Sequence, residues 1–148
     1  LRSARFPDPD QDQGVHRLRY ALLIGADLAD AVREGYRLNL PERTRPGRTP
    51  VAPLVTVDHR DVVIEAVKLA DDRSGDIVVR LYESQGVRAR ATLTPGFPLA
   101  SAETTDLLER PLSDPTSHHL TDGAVHLTLR PFQILTLRLR RSDTHRRT

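Results

Sequence analysis

Residue types capable of chemistry crowd into one short stretch: Asp114, Ser117, His118, His119, Asp122 and His126. Imidazoles and carboxylates are zinc ligands, but zinc needs three or four of them converging, usually at tight helical or hairpin spacing. His118 and His119 are adjacent and point apart if the backbone is extended, so they do not share an ion. Residues 112–123, with Pro115, read as a polar loop, and His126 falls on the polar face of a strand. Asp71, Asp72, Arg73, Ser74, Gly75 and Asp76 have the acid density of a calcium loop. They lack its alternating acids and closing bidentate glutamate, so a hairpin turn is expected. Ser3, Ser74, Ser84, Ser101, Ser113, Ser117 and Ser142 all fall in or beside loops, and none stands in a G-x-S-x-G elbow. Glu83, Glu103, Asp106 and Glu109 would have to pair at a defined separation for acid/base work, which spacing along a chain does not fix. No glycine-rich phosphate loop is present. The reading for catalytic, cofactor-binding and metal-binding residues is therefore none.

Composition narrows the classes further. The 148 residues, 38% hydrophobic and 28% charged, suit one or two small globular domains with a real core. No apolar run is long enough to span a membrane, and no charged-then-apolar leader opens the chain. Cysteine is absent, which removes disulfides and thiolate metal sites, and the expected compartment is the cytoplasm. Methionine is absent too, so a chain opening at Leu1 is read as a fragment or a processed product. The formal charge of +2 belongs to the end of the chain, where Arg138, Arg140, Arg141, Arg146 and Arg147 stand against Asp143 alone. The rest is slightly acidic, which argues against a nucleic-acid surface.

The elements follow from periodicity. Residues 15–24 (VHRLRYALLI) read as a strand with Leu18 and Tyr20 on one face. Asp27 is a natural N-cap for a helix ending before Pro41, with Leu28, Val32 and Tyr36 as its apolar stripe. Residues 41–53 hold four of the eleven prolines and favour extended, unpaired chain. Beyond them lie seven strand candidates: 54–57, 62–70, 76–83, 87–94, 102–108, 124–130 and 132–140. A change of parity between Phe132/Ile134 and Leu135/Leu137/Leu139 predicts a bulge near Ile134–Leu135. The expected core is Ile64, Val67, Ile77, Val79, Leu81, Val125, Leu127, Leu129 and Leu137. Short, regularly spaced strands with turn signals and no intervening helix argue for an all-β fold, an antiparallel immunoglobulin-like β-sandwich with an N-terminal strand-plus-helix segment.

Several segments, in order, carry a family resemblance: RYALL (Arg19–Leu23), AVREGYRLNLP (Ala31–Pro41), VVIEAVK (Val62–Lys68), RLYESQG (Arg80–Gly86), RARATL (Arg88–Leu93), TDLLE (Thr105–Glu109) and LRPFQILTLRL (Leu129–Leu139). Together they resemble the C-terminal β-sandwich of the family-38 glycoside hydrolases, the class II α-mannosidases, and the end of the middle β-domain before it. One departure stands at Ile24-Gly25-Ala26-Asp27, where the family has Pro-His and a Gly-Asp. The resemblance implies residues 1–45 as the end of the middle domain (strand 15–24, helix 27–39), 46–53 as a proline-rich linker, 54–141 as the sandwich and 142–148 as a basic tail. It also implies that intact relatives are retaining exo-α-mannosidases whose zinc and two catalytic carboxylates lie in an N-terminal β/α domain, so none of those residues maps onto this chain.

Three functions are in play. The first is a non-catalytic C-terminal piece of an α-mannosidase, a structural or accessory sandwich whose partners are the catalytic and middle domains of the same polypeptide. The second is an independent carbohydrate-binding module, for which pyranose rings would stack on exposed aromatics. Tyr36 on a helix stripe and Phe132 opening a core strand leave few rings for that. The third is an unrelated sandwich used for adhesion or signalling. The apolar strand 15–24 is also expected to pack on the sandwich, to pair with a second copy, or to stay loosely held. Neither nucleic acid nor membrane is an expected partner.

Overall fold

Period-two alternation becomes eight strands in the computed structural model, which describes residues 6, 13–44, 46–113 and 118–142. In chain order the elements are α1 (Leu28–Asn39), β1 (Val55–Val57), β2 (Val62–Leu69), β3 (Ile77–Glu83), β4 (Ala89–Pro95), β5 (Leu99–Thr105), β6 (His118–Thr121), β7 (Ala124–Leu129) and β8 (Ile134–Arg141). Two four-stranded antiparallel sheets form, ordered β1-β4-β7-β6 and β2-β3-β8-β5. In one, Ile77, Val79 and Leu81 stand opposite Leu139, Leu137 and Leu135. In the other, Ala89, Ala91 and Leu93 stand opposite Leu129, Leu127 and Val125. Paired residues share a face, so both sets are delivered to the same interior. Leu81, Leu93, Leu129, Leu137 and Leu139 are fully buried there, and each such side chain contributes about 1.5–3 kcal/mol of burial. The fold is the expected β-sandwich.

Several details differ from the sequence expectations. The register of β8 against β3 is continuous from Ile134 to Leu139, so no bulge lies at Ile134–Leu135. The inward parity is the same in Leu127 and Leu129 as in Leu135, Leu137 and Leu139, and Phe132 and Ile134 both face outward, Phe132 preceding the strand with a left-handed backbone, φ 56°. Bulges occur in edge strands, between Ile64 and Ala66 in β2 and between Leu99 and Ser101 in β5. Ile64 packs against the core, whereas Val67 is 40% exposed. The facing strand β1 is only three residues long, which leaves the second half of β2 with little above it. Strand β5 starts and stops earlier than expected because the Asp106 carboxylate accepts from the backbone N–H of Leu108 and Arg110 and turns the chain. Strand β6 lies where a polar loop was expected, closed onto β7 by a hairpin with Asp122 and Gly123 at positive φ.

At the N-terminal side, the helix forms as expected. Asp27 accepts from the Asp30 N–H at 2.9 Å while Asp30 accepts from the Asp27 N–H at 3.2 Å, a reciprocal cap that satisfies two otherwise orphaned donors. Leu28 is exposed, and Ala29 is the residue that the helix buries. Arg60 pairs with Asp27, and the Tyr36 and Tyr82 hydroxyls meet at 3.2 Å, which ties both ends of α1 to the sandwich. Residues 15–24 join neither sheet, against the expected strand, although both sheets keep open outer strands. Val15, Leu18, Tyr20, Leu22 and Ile24 all stand in solvent. Amide exchange on a dilute monomeric sample should therefore be fast at Arg19–Leu23 and slow at Val78–Leu81. Equal protection of the two segments would show that the arm is paired.

Candidate interaction site

The least ordinary local chemistry lies where β3 ends. Glu83 is the last residue of β3, and its inward parity buries it completely. Its carboxylate accepts from the backbone N–H of Gln85, Gly86 and Phe132 at 2.8, 2.8 and 2.9 Å. Burial alone raises a carboxyl pKa. Here the N–H donors of Phe132, Gln85, Val87 and Gly86 outweigh burial and hold Glu83 below the ordinary glutamate value. One side chain thereby fastens the turn after β3 to the turn before β8.

That fastening presents an exposed aromatic ring. Phe132 is 69% exposed and Ile134 59% exposed. A side chain at Gly86 would place its Cβ 2.6 Å from the Phe132 ring, and Gly86 itself has φ +77°, so glycine is needed on both counts. Phe132, Ile134, Tyr36 and Tyr82 line a hollow of about 320 Å³. Burial pushes the Tyr82 hydroxyl up to about 12, its hydrogen bond to Tyr36 adding to the effect, so it stays protonated at neutral pH. Ile134 also borders a larger open cavity of about 730 Å³, with Arg88, Thr105, Leu107, Leu112 and Arg130 on its walls. Within the described residues the Thr105 hydroxyl is buried without a hydrogen-bond partner.

Comparison with known proteins decides the family. Residues 61–137 match the model of the glycosyl hydrolases family 38 C-terminal beta sandwich domain. The chain belongs to family 38. Alpha-mannosidase 2C1 from Homo sapiens is 36% identical over 150 aligned residues, covering 94% of this chain and 14% of the relative. Its Mus musculus counterpart is 35% identical with the same coverage. Alpha-mannosidase from Saccharomyces cerevisiae is 27% identical, covering 94% of this chain and 15% of the relative. The chain thus spans about one seventh of the length of these relatives.

Within this family-38 sandwich, the residues singled out from sequence are scattered. Asp114 and Ser117 lie outside the described residues. His118 sits on β6 rather than in a loop, its Nδ1 3.0 Å from the Thr104 hydroxyl and its Nε2 3.1 Å from the Ala102 carbonyl, so it bridges the two sheets. His119 points away from it and stacks on His126, with ring centroids 4.9 Å apart. Among the described residues, no three His, Asp or Glu side chains are grouped to hold a metal. Asp72 and Asp76 receive the Arg138 guanidinium at 2.6 and 2.7 Å, and the Ser74 N–H and hydroxyl, then Arg138, hold Asp72 at about 2. This is the expected hairpin turn. Asp106 stays with Arg110, and Glu109 with Lys68 and the Asp71 N–H. Glu103 faces Arg138 across β8. Each carboxylate has its own structural neighbourhood. The Glu83 arrangement is not legible in sequence because one of its partners, the Phe132 N–H, comes from a turn 49 positions away, although an acid two residues before a Gln-Gly turn is a usable signal for the local half.

Proposed function

We propose that this chain is the non-catalytic C-terminal sandwich of an α-mannosidase and serves the intact enzyme as a structural, accessory domain. The intact enzyme would remove terminal α-mannosides, with its catalytic and middle domains as this chain's partners. The observation that carries the reading is the family match across the sandwich in a chain one seventh as long as its mannosidase relatives. Residues 1–45 are proposed as the end of the preceding domain, 46–53 as the linker and the cytoplasm as the compartment. Zinc, implied by the family, does not fit the described residues: the nitrogens of His118 are occupied, and no third His, Asp or Glu among the described residues joins the His119–His126 stack. Its proposed place is the catalytic domain. Self-association through the apolar arm 15–24 is proposed for the chain on its own, because that arm is exposed.

The test is activity. The 148-residue chain is expected not to hydrolyse p-nitrophenyl α-mannoside, with or without zinc or cobalt, while the longer product of the same gene does. Turnover by the purified 148-residue chain, surviving removal of trace contaminants, would overturn the reading. An independent carbohydrate-binding module stays as a second reading because Tyr36, Tyr82 and Phe132 converge on one hollow. A saturable heat of binding with mannosides would favour it.

A further inference from the structure

We propose that the ridge of Phe132 and Ile134, flanked by Arg88 and Arg130, is the seat on which the rest of the mannosidase polypeptide docks. The inference rests on the reading above and adds the surface and the chemistry of its partner. Positive φ at a bulky aromatic residue is a genuine backbone outlier, and such strain persists only where surrounding structure imposes it. Here the imposition is complete: Glu83 grips the Phe132 N–H, and glycine at 86 clears room for the ring. Yet the ring so fixed is mostly in solvent. Its neighbour Ile134 is exposed as well and stands between the two cavities, so the ridge has a depression on either side.

The occupant's chemistry can be read from the surroundings. Arg88 and Arg130 line the larger cavity together with Asp106, whose carboxylate is taken by Arg110, and neither guanidinium has an ion pair among the described residues. Aromatic and arginine side chains at the centre of a protein interface carry much of its binding energy. The fitting partner therefore has an apolar hollow for Phe132 and Ile134 and carboxylates opposite the two guanidiniums. A polypeptide several times longer than this chain is available to supply it, since the relatives are covered over only 14–15% of their length. The approach is also right: α1, which forms one wall of the smaller hollow through Tyr36, follows directly on the exposed apolar arm. A sugar fits less well. Glu83 spends both oxygens on backbone donors, the Tyr36 and Tyr82 hydroxyls bond each other and the Ser84 hydroxyl donates to the Asp61 carbonyl, which leaves Glu65 of the lining groups to orient hydroxyls.

Hydroxyl-radical labelling tests this on the 148-residue chain and on the longer polypeptide of the same gene. Phe132 and Ile134 should be labelled readily in the first and about fivefold less or lower in the second, because an interface core excludes water. Leu120, on the edge hairpin, is the reference. Phe132→Asp in the longer polypeptide should restore Ile134 labelling to the level of the short chain. Equal labelling of wild-type Phe132 in both proteins refutes the seat. So does protection in the short chain that grows with its own concentration, which indicates a second copy, or that appears with methyl α-mannoside, which indicates a sugar. If the longer polypeptide hydrolyses mannosides while Phe132 stays labelled, only the seat falls. If it is inactive on mannosides and Phe132 stays labelled, the proposed function falls with it.

Discussion

Leu81→Ala is expected to lower the free energy of unfolding by about 2–5 kcal/mol, as is Leu127→Ala, because each deletes buried methyl groups and leaves a cavity that the sheets only partly close. Leu81 is 0% exposed on β3 and Leu127 2% exposed on β7, so the two report on opposite layers. Leu81 sits between Ile64 on β2 and Leu135 on β8, and Leu127 between Ala91 on β4 and His118 on β6. Central strands have neighbours on both sides, which limits relaxation into the space. Val67→Ala on the edge strand should cost far less, since that side chain is already 40% exposed. Urea unfolding followed by far-UV circular dichroism measures all three. A loss below about 1 kcal/mol at both leucines would mean that neither is in a packed core.

What was legible beforehand follows from where the physics is local. Leu127, Leu129, Ala89 and Ala91 alternate with His126, Thr128 and Arg90, and one buried face is enough to write that pattern into a strand. Asp27 could be read as a cap because its partner Asp30 is three residues away. Strand β6 leaves little pattern, since His118-His119-Leu120-Thr121 is short, polar and an edge. The Asp122-Gly123 pair, a strong hairpin signal, marked it nevertheless. Phe132 is hidden for a different reason. An apolar aromatic near Ile134 looks like core, and only the distant Glu83 carboxylate fixes the backbone that turns it outward. The candidate site was therefore hidden in contacts between turns, while the sandwich was written in each strand separately.

Glu83 is where those contacts can be broken with one substitution. Glu83→Ala should destabilise by about 2–4 kcal/mol, because each buried donor left unpaired costs about 1–3 kcal/mol and entering water recovers part of it. Glu83→Gln is nearly isosteric but still harmful: its amide nitrogen carries hydrogens toward N–H groups that need an acceptor. The acid dependence follows in sign from the lowered pKa. The unfolded glutamate titrates near 4.3, and the folded one below that. The contribution of the carboxylate is therefore present in full above the unfolded value and is lost as pH falls through the folded one. Wild-type stability should drop between neutral pH and pH values below about 4, and the Gln variant should lack this share of the drop. The ring of Phe132 should also loosen, and near-UV or aromatic ¹⁹F signals from fluorophenylalanine would report it. If Glu83→Gln matched the wild type within about 0.5 kcal/mol at pH 7, the carboxylate would not be what holds the two turns together. The exposed ring would then need another anchor.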